Sequence, residues 1–255
     1  RMVASVGEYI YASDSANEVY VNLFIDSTAQ VTLNETTVNL RQDTRYPWDG
    51  QVSLHVDPES ATRFTVHLRI PGWTGETVMP GDLYQFIGDT PTPPTVRLNG
   101  EPVPLVVEYG YIRLDRTWNA GDLIELDLPM PVRQVVAHPN VEDDRDRVAL
   151  QRGPLVYCAE WPDNGGRALN IVVPDDADLD TEFRPDLLEG IQVISGPVQA
   201  VERRDNNNST TRTVTHQLTA IPYYVWANRG MGEMAVWMAR TPTQAWLPPL
   251  PPKHI

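Results

Sequence analysis

Cys158 is the one thiol in the 255-residue chain. A thiol becomes a nucleophile when a base or a positive charge draws off its proton. Cys158 stands in Leu155-Val156-Tyr157-Cys158-Ala159, an alternating strand pattern with no histidine or second cysteine beside it. That setting reads as a buried, inert thiol. Paired acids, Asp143 with Asp144 and Asp175 with Asp176, are the residue types that do general acid and base work. Adjacent carboxylates on acidic loops do not face a common bond, so these read as solvated surface. His55, His67, His138, His216 and His254 are scattered without the spacing of metal ligands. The sequence therefore nominates no catalytic residue and no metal site. Two segments have binding chemistry instead. In Tyr46-Pro47-Trp48-Asp49-Gly50, an aromatic held between Pro and Gly could stack on a sugar ring while Asp49 accepts hydroxyl hydrogen bonds. The alternative is that Trp48 plugs an interface with another domain, and the abundance of Trp and Tyr as buried anchors favours that reading. Trp226, Asn228 and Arg229 are expected to clasp two domains together.

Positioning these residues is work for strands. Val19, Val21, Leu23 and Ile25 alternate with Tyr20, Asn22 and Phe24, the period of two that marks a β-strand. Similar runs occur at 29–33, 37–41, 52–56, 64–70, 95–98, 103–107, 111–115 and 123–128. Asn99-Gly100 between two such runs predicts the primed turn of a tight hairpin. The stretch from Thr74 to Pro94 reads as an extended surface excursion. After Pro129-Met130-Pro131 and an acidic and basic loop, a second strand set begins, with runs at 148–150, 155–159, 169–173, 191–194, 198–201 and 213–218. One helical turn is expected over Arg184–Glu189, and a mobile hairpin tip around Asn206-Asn207-Asn208-Ser209. Short strands with almost no helical period predict an all-β fold of antiparallel sandwiches.

The composition narrows the partners. Against 34 acidic residues stand 20 Lys and Arg, a net charge of −14 that repels phosphate backbones, so nucleic acid is not an expected partner. No apolar run approaches the roughly 20 residues of a membrane-spanning helix, so a membrane is not expected either. A lone cysteine permits no intrachain disulfide and leaves the compartment open. Arg1 to Gly7 shows neither an initiator Met nor a targeting segment. The spacing of Met2, Val3, Val6, Tyr9 and Ile10 predicts the last turns of a helix that begins upstream.

Several segments, in order, resemble glycoside hydrolase family 127, the β-L-arabinofuranosidases and their relatives. They are Tyr46-Pro47-Trp48-Asp49-Gly50, Arg69-Ile70-Pro71-Gly72-Trp73, Leu98-Asn99-Gly100-Glu101-Pro102-Val103, Val148 to Cys158, and Ile221 to Gly230. The resemblance implies a parent enzyme with a helical barrel that carries the chemistry, followed by two β-sandwiches, the second inserted into the first. It also implies a zinc-bound cysteine nucleophile and a glutamate acid and base in that barrel, which is covalent retaining catalysis. None of those residues matches a position here. The expected domains are a tail of the helical domain at 1–12, a first sandwich at 13–138 with 219–240, an inserted second sandwich at 139–218, and an extended tail at 241–255. The chain is then a non-catalytic portion without a cofactor, with zinc expected in the absent catalytic domain. Its partners are that helical domain and, for the parent, a plant-type glycan. The rival reading is a stand-alone carbohydrate-binding module, motivated by seven tryptophans.

Overall fold

The structure, a computed structural model, describes residues 5–204 and 210–249. Among them Ser5 is α-helical, the other helical elements are 3-10 turns of three or four residues, and everything else regular is β-strand. The chain divides into two compact units, Arg1–Glu76 with Pro91–Met130, and Thr77–Thr90 with Pro131–Ile255.

The first unit is a sandwich. Its strands before the break are β1 (Tyr11–Ser13), β2 (Glu18–Val21), β3 (Ser27–Leu33), β4 (Thr36–Thr44), β5 (Gln51–Pro58) and β6 (Thr62–Arg69). A single strand, β7 (Tyr84–Ile87), then joins the other unit. The first unit resumes with β8 (Thr95–Leu98), β9 (Glu101–Val103), β10 (Val107–Glu108), β11 (Tyr111–Trp118) and β12 (Asp122–Asp127). One sheet runs β1-β2-β6-β11-β10 and the other β3-β4-β5-β12-β8-β9. Alternation decides which side chains meet: Val52, Leu54 and Val56 of β5 and Phe64, Val66 and Leu68 of β6 join one buried core. Trp118 is buried in it, stacked on Phe64 at 5.6 Å, and its indole N–H donates to Phe64 O at 3.0 Å. Asn99 and Gly100 both have positive φ, 53° and 84°, between the paired Leu98 and Glu101, which is the primed turn that Asn-Gly predicts.

The second unit adds β13 (Val132–Ala137), β14 (Arg147–Arg152), β15 (Leu155–Glu160), β16 (Ile171–Val172), β17 (Asp180–Arg184), β18 (Ile191–Arg203), β19 (Thr211–Pro222), β20 (Met234–Ala235) and β21 (Met238–Ala239). Their order is β20-β15-β19-β18-β16-β21-β14-β13-β7, with β17 beside β18. Because β14 also pairs with β15, the path from β15 through β18 to β14 closes on itself and leaves those strands no free edge. Inside it lie Leu150, Tyr157, Ala159, Ile194, Leu218 and Ala220, all buried.

Several expectations are corrected. Residues 219–240 do not return to the first sandwich, because β19 runs unbroken to Pro222 between β18 and β15, and Met234 pairs with Glu160. The units part at Met130–Pro131 rather than near Pro139, and the second is not inserted whole into the first; instead Thr77–Thr90 is lent to the second. The supposed surface excursion 74–94 therefore contains β7, paired with β13, with Tyr84 stacked on Trp237 at 5.7 Å. Flanking Gly and Pro disguised a four-residue strand. Arg184 to Gly190 is a turn in which Leu188 and Glu189 take positive φ, not a helical turn. Of the expected helix end and tail, residues 1–4 and 250–255 lie outside the described residues, as do 205–209 of the hairpin tip. Val6–Tyr9 is a 3-10 turn and Tyr11–Ser13 already a strand. Pro242–Gln244 is likewise a 3-10 turn rather than extended chain.

Gly50 gives a direct test of the first unit. A Cβ on Gly50 would lie 1.8 Å from Leu128 O, whose own N–H donates to Gly50 O at 3.0 Å. Gly50→Ala is expected to cost more than about 3 kcal/mol, read as a drop in the urea midpoint; an unchanged midpoint would contradict the close approach.

Candidate functional site

The candidate residues fall into one group in each unit. In the first unit the turn after β4 is tied by Thr44, whose hydroxyl donates to Gln51 O at 2.7 Å and accepts from Tyr46 N–H at 3.0 Å. Asp49 Oδ1 accepts from Gln51 N–H at 3.2 Å, and Trp48 N–H donates to Arg45 O at 2.9 Å. Tyr46 points back onto the core, edge-on to Phe24 at 5.6 Å, and its hydroxyl accepts from Trp73 Nε1 at 3.1 Å. Burial pushes the Tyr46 phenol pKa up, against the pull of the Trp73 bond. Trp48 stays 45% exposed. The structure thus separates the pair: Tyr46 is an anchor, and Trp48 is an indole presented at the surface on a rigid turn. Asp49 is partly engaged, with Oδ2 3.8 Å from Arg45 Nε.

In the second unit, Tyr223–Val225 forms a 3-10 turn after β19, and the rings of Tyr223 and Trp226 stack at 5.8 Å with 10° between planes. Trp226 is 41% exposed. Asn228 Nδ2 donates to Val225 O at 2.9 Å and so closes its own loop. Arg229 grips Asp163 with two bonds, of 2.7 and 2.5 Å, and donates through Nε to Glu160 Oε2 at 3.0 Å. Glu160 is only 2% exposed, and its other oxygen accepts from Ala227 N–H at 3.3 Å. The bonds to Asp163, and then Glu160, push the Arg229 pKa up against burial. The expected clasp between domains is, for Arg229, a clasp within the second unit. Sequence reading missed Glu160, Asp163 and Tyr223. Glu160 looks like an ordinary strand end, and its only signal is a cation 69 residues away along the chain.

Cys158 is fully buried among Ile191, Val193 and Ile221. Burial, and secondarily the charge of Glu160, pushes its pKa up to about 12, so it stays a thiol at neutral pH. Asp175 forms a bidentate pair with Arg240 at 2.7 and 2.5 Å, which lowers its pKa. Asp144 lies in the turn Glu142–Asp144, its pKa raised by burial and then by Asp143. Neither acid pair closes on a shared substrate position. Zinc held by cysteine needs a thiolate with further ligands. The described residues contain no group of three or more His, Cys, Asp or Glu suited to a metal, and Cys158 has an apolar surround, so these residues do not fit zinc.

Two outcomes follow for these groups. Cys158 is expected to resist Ellman's reagent in the folded chain and to react with one equivalent in denaturant; fast labelling of folded protein would contradict its burial. Arg229→Ala leaves Glu160 buried without its cation and is expected to cost about 3–5 kcal/mol in urea unfolding; a loss below about 1 kcal/mol would mean the carboxylate finds water instead.

Known proteins are similar to this chain in sequence and in fold. Residues 18–130 match the middle domain of GH127 β-L-arabinofuranosidases, and residues 132–239 match the C-terminal domain of glycoside hydrolase family 127. The division between them falls where the two units part. A non-reducing end β-L-arabinofuranosidase of Bifidobacterium longum subsp. longum is 36% identical over 94% of this chain, which spans 36% of that relative. The structure of a GH127 β-arabinofuranosidase is similar with a TM-score of 0.90 and 37% identity, over 96% of this chain and 38% of the other. A GH127 β-L-arabinofuranosidase from Geobacillus stearothermophilus T6 gives a TM-score of 0.81 and 42% identity, over 93% and 36%. The chain spans little more than a third of each of these relatives. It carries the middle and C-terminal β-domains in sequence and in fold, and it belongs to glycoside hydrolase family 127.

Proposed function

We propose that this chain is the non-catalytic β portion of a longer glycoside hydrolase that releases β-L-arabinofuranosyl units from plant-type glycans with retention of configuration. On this reading a helical domain of the same parent chain is its partner and carries the nucleophile, the acid and base, and the zinc. The carrying observation is the state of Cys158: a retaining thiol mechanism needs a thiolate that can reach the sugar, and this sulfur is buried with its pKa pushed up to about 12. The nearest acid, Glu160, is locked by Arg229. The names of the similar enzymes support the substrate class.

The exposed indoles give the partner something to bind. Trp48 and Trp226 each present an apolar face on a turn fastened from beneath, which favours packing against a rigid neighbour with little entropy lost. The sandwiches then act by holding the helical domain in shape.

The purified 255-residue chain is expected to release no nitrophenol from a nitrophenyl β-L-arabinofuranoside under conditions where the full-length enzyme turns over. In the full-length enzyme, Cys158→Ala is expected to keep kcat/KM within about twofold. Turnover by the chain alone, or a loss of about 1,000-fold or more in a folded Cys158→Ala enzyme, would overturn the proposal.

A further inference from the structure

We propose that a cleft in the second unit, at the β18–β19 hairpin, binds an uncharged carbohydrate. It is lined by Asn164, Arg167, Glu202, Arg203, His216 and Leu247 among others, and its volume is about 610 Å3, within the span of roughly 300–1,000 Å3 usual for small-molecule sites.

Its polar groups are set in advance. Asn164 Nδ2 donates to Glu160 O and Thr219 O, each at 2.9 Å, and Oδ1 accepts from Thr219 N–H at 3.1 Å. These bonds leave no choice of amide orientation, so His216 Nε2, 3.2 Å from the same oxygen, must be the donor there. Burial lowers the His216 pKa from its ordinary value, which keeps the ring neutral at pH 7. A neutral ring protonated on Nε2 offers Nδ1 as an acceptor. Arg167 supplies the complementary donor. Its Nε lies 2.7 Å from Glu233 Oε1 without hydrogen-bond alignment, and its Nη2 is buried with no hydrogen-bond partner among the described residues. Because Nη2 and Nε are buried, what a ligand oxygen can meet is the remaining, accessible part of this guanidinium, whose side chain is 28% exposed.

Charge and shape choose the ligand class. Glu233 neutralises Arg167, and Arg212 meets Glu202 at 3.1 Å. Arg203 donates to Pro248 O and leaves one positive charge in a chain of net charge −14, too little to favour an anion. Hydroxyl groups, which both donate and accept without charge, suit such a lining. Ala200, Val201 and Leu247 give it an apolar side. Next to Leu247 in the chain, at the margin of the cleft rather than in its lining, Trp246 is 46% exposed, held by its backbone N–H donating to Leu169 O at 2.9 Å and with the Arg167 guanidinium 6.0 Å from its ring. An indole of that kind stacks well on the C–H face of a sugar.

The inference goes beyond the non-catalytic reading and does not rest on it, since a titration reads binding whatever a hydrolysis assay reports. The chain is titrated by calorimetry with L-arabinose, with arabinobiose and, separately, with citrate. Saturable binding of a sugar and none of citrate is expected, weakened about tenfold or more by His216→Ala and by Trp246→Ala. Trp246 is a surface residue, so that variant tests the site even where a change at His216 disturbs the hairpin. Tyr109→Ser, at a fully exposed tyrosine of the first unit, is expected to leave affinity unchanged. No saturable sugar binding by the folded chain, citrate bound in preference, or sugar binding indifferent to both the His216 and the Trp246 substitution would each overturn it.

Discussion

Glu160 is a carboxylate almost wholly removed from water at the end of a strand, and Arg229 meets it there with its guanidinium. Much of the second unit depends on that contact. β15 pairs with β14, β19 and β20, so whatever fixes its end fixes the closing point of the strand path. The same Arg229 grips Asp163, and the Glu160 carboxylate takes Ala227 N–H, which draws the loop carrying Trp226 down onto the strand end. An unpaired carboxylate at this depth would cost several kcal/mol, on the order of the whole margin of a domain's stability. The charged groups of this region are therefore committed to architecture.

That commitment bears on function. β15 holds the chain's sole thiol and, two residues away, the most buried acid among the described residues, the sort of pair that invites a catalytic reading. Pleating sends Tyr157 and Ala159 into the main core and turns Cys158 to a second apolar cluster on the opposite face. Burial on both faces holds the sulfur protonated. What this chain shows outward is of another kind: indoles on braced turns, and a polar cleft whose donors and acceptors are held in place by backbone contacts.

The sandwich class was legible because the period of two is unbroken in β3 to β6 and β11, and because Asn99-Gly100 names its own turn. Tyr46 and Trp48 stand two residues apart in one turn, but which of them faces outward depends on Trp73, brought to Tyr46 by the sheet rather than by proximity in sequence. The partition of the chain was not legible. β7 is four residues in a stretch rich in Gly and Pro, and its pairing with β13 spans about fifty residues that no local pattern encodes. The place of 219–240 was misread for a similar reason: β19 is shared by two neighbours, and a strand's partners are a property of the sheet. Glu160 and Asp163 were overlooked because a buried acid is recognisable only with its cation, and Arg229 lies far along the chain.

If the proposed retaining mechanism holds, labelling the nucleophile of the full-length enzyme is the most direct test. The full-length enzyme is inactivated with an arabinofuranose-configured, thiol-directed reagent, digested, and the labelled peptide sequenced by mass spectrometry. The label is expected on a cysteine outside Arg1–Ile255, with the peptide containing Cys158 recovered unmodified. A sugar attached to Cys158 would contradict the view that this β architecture supports chemistry carried elsewhere.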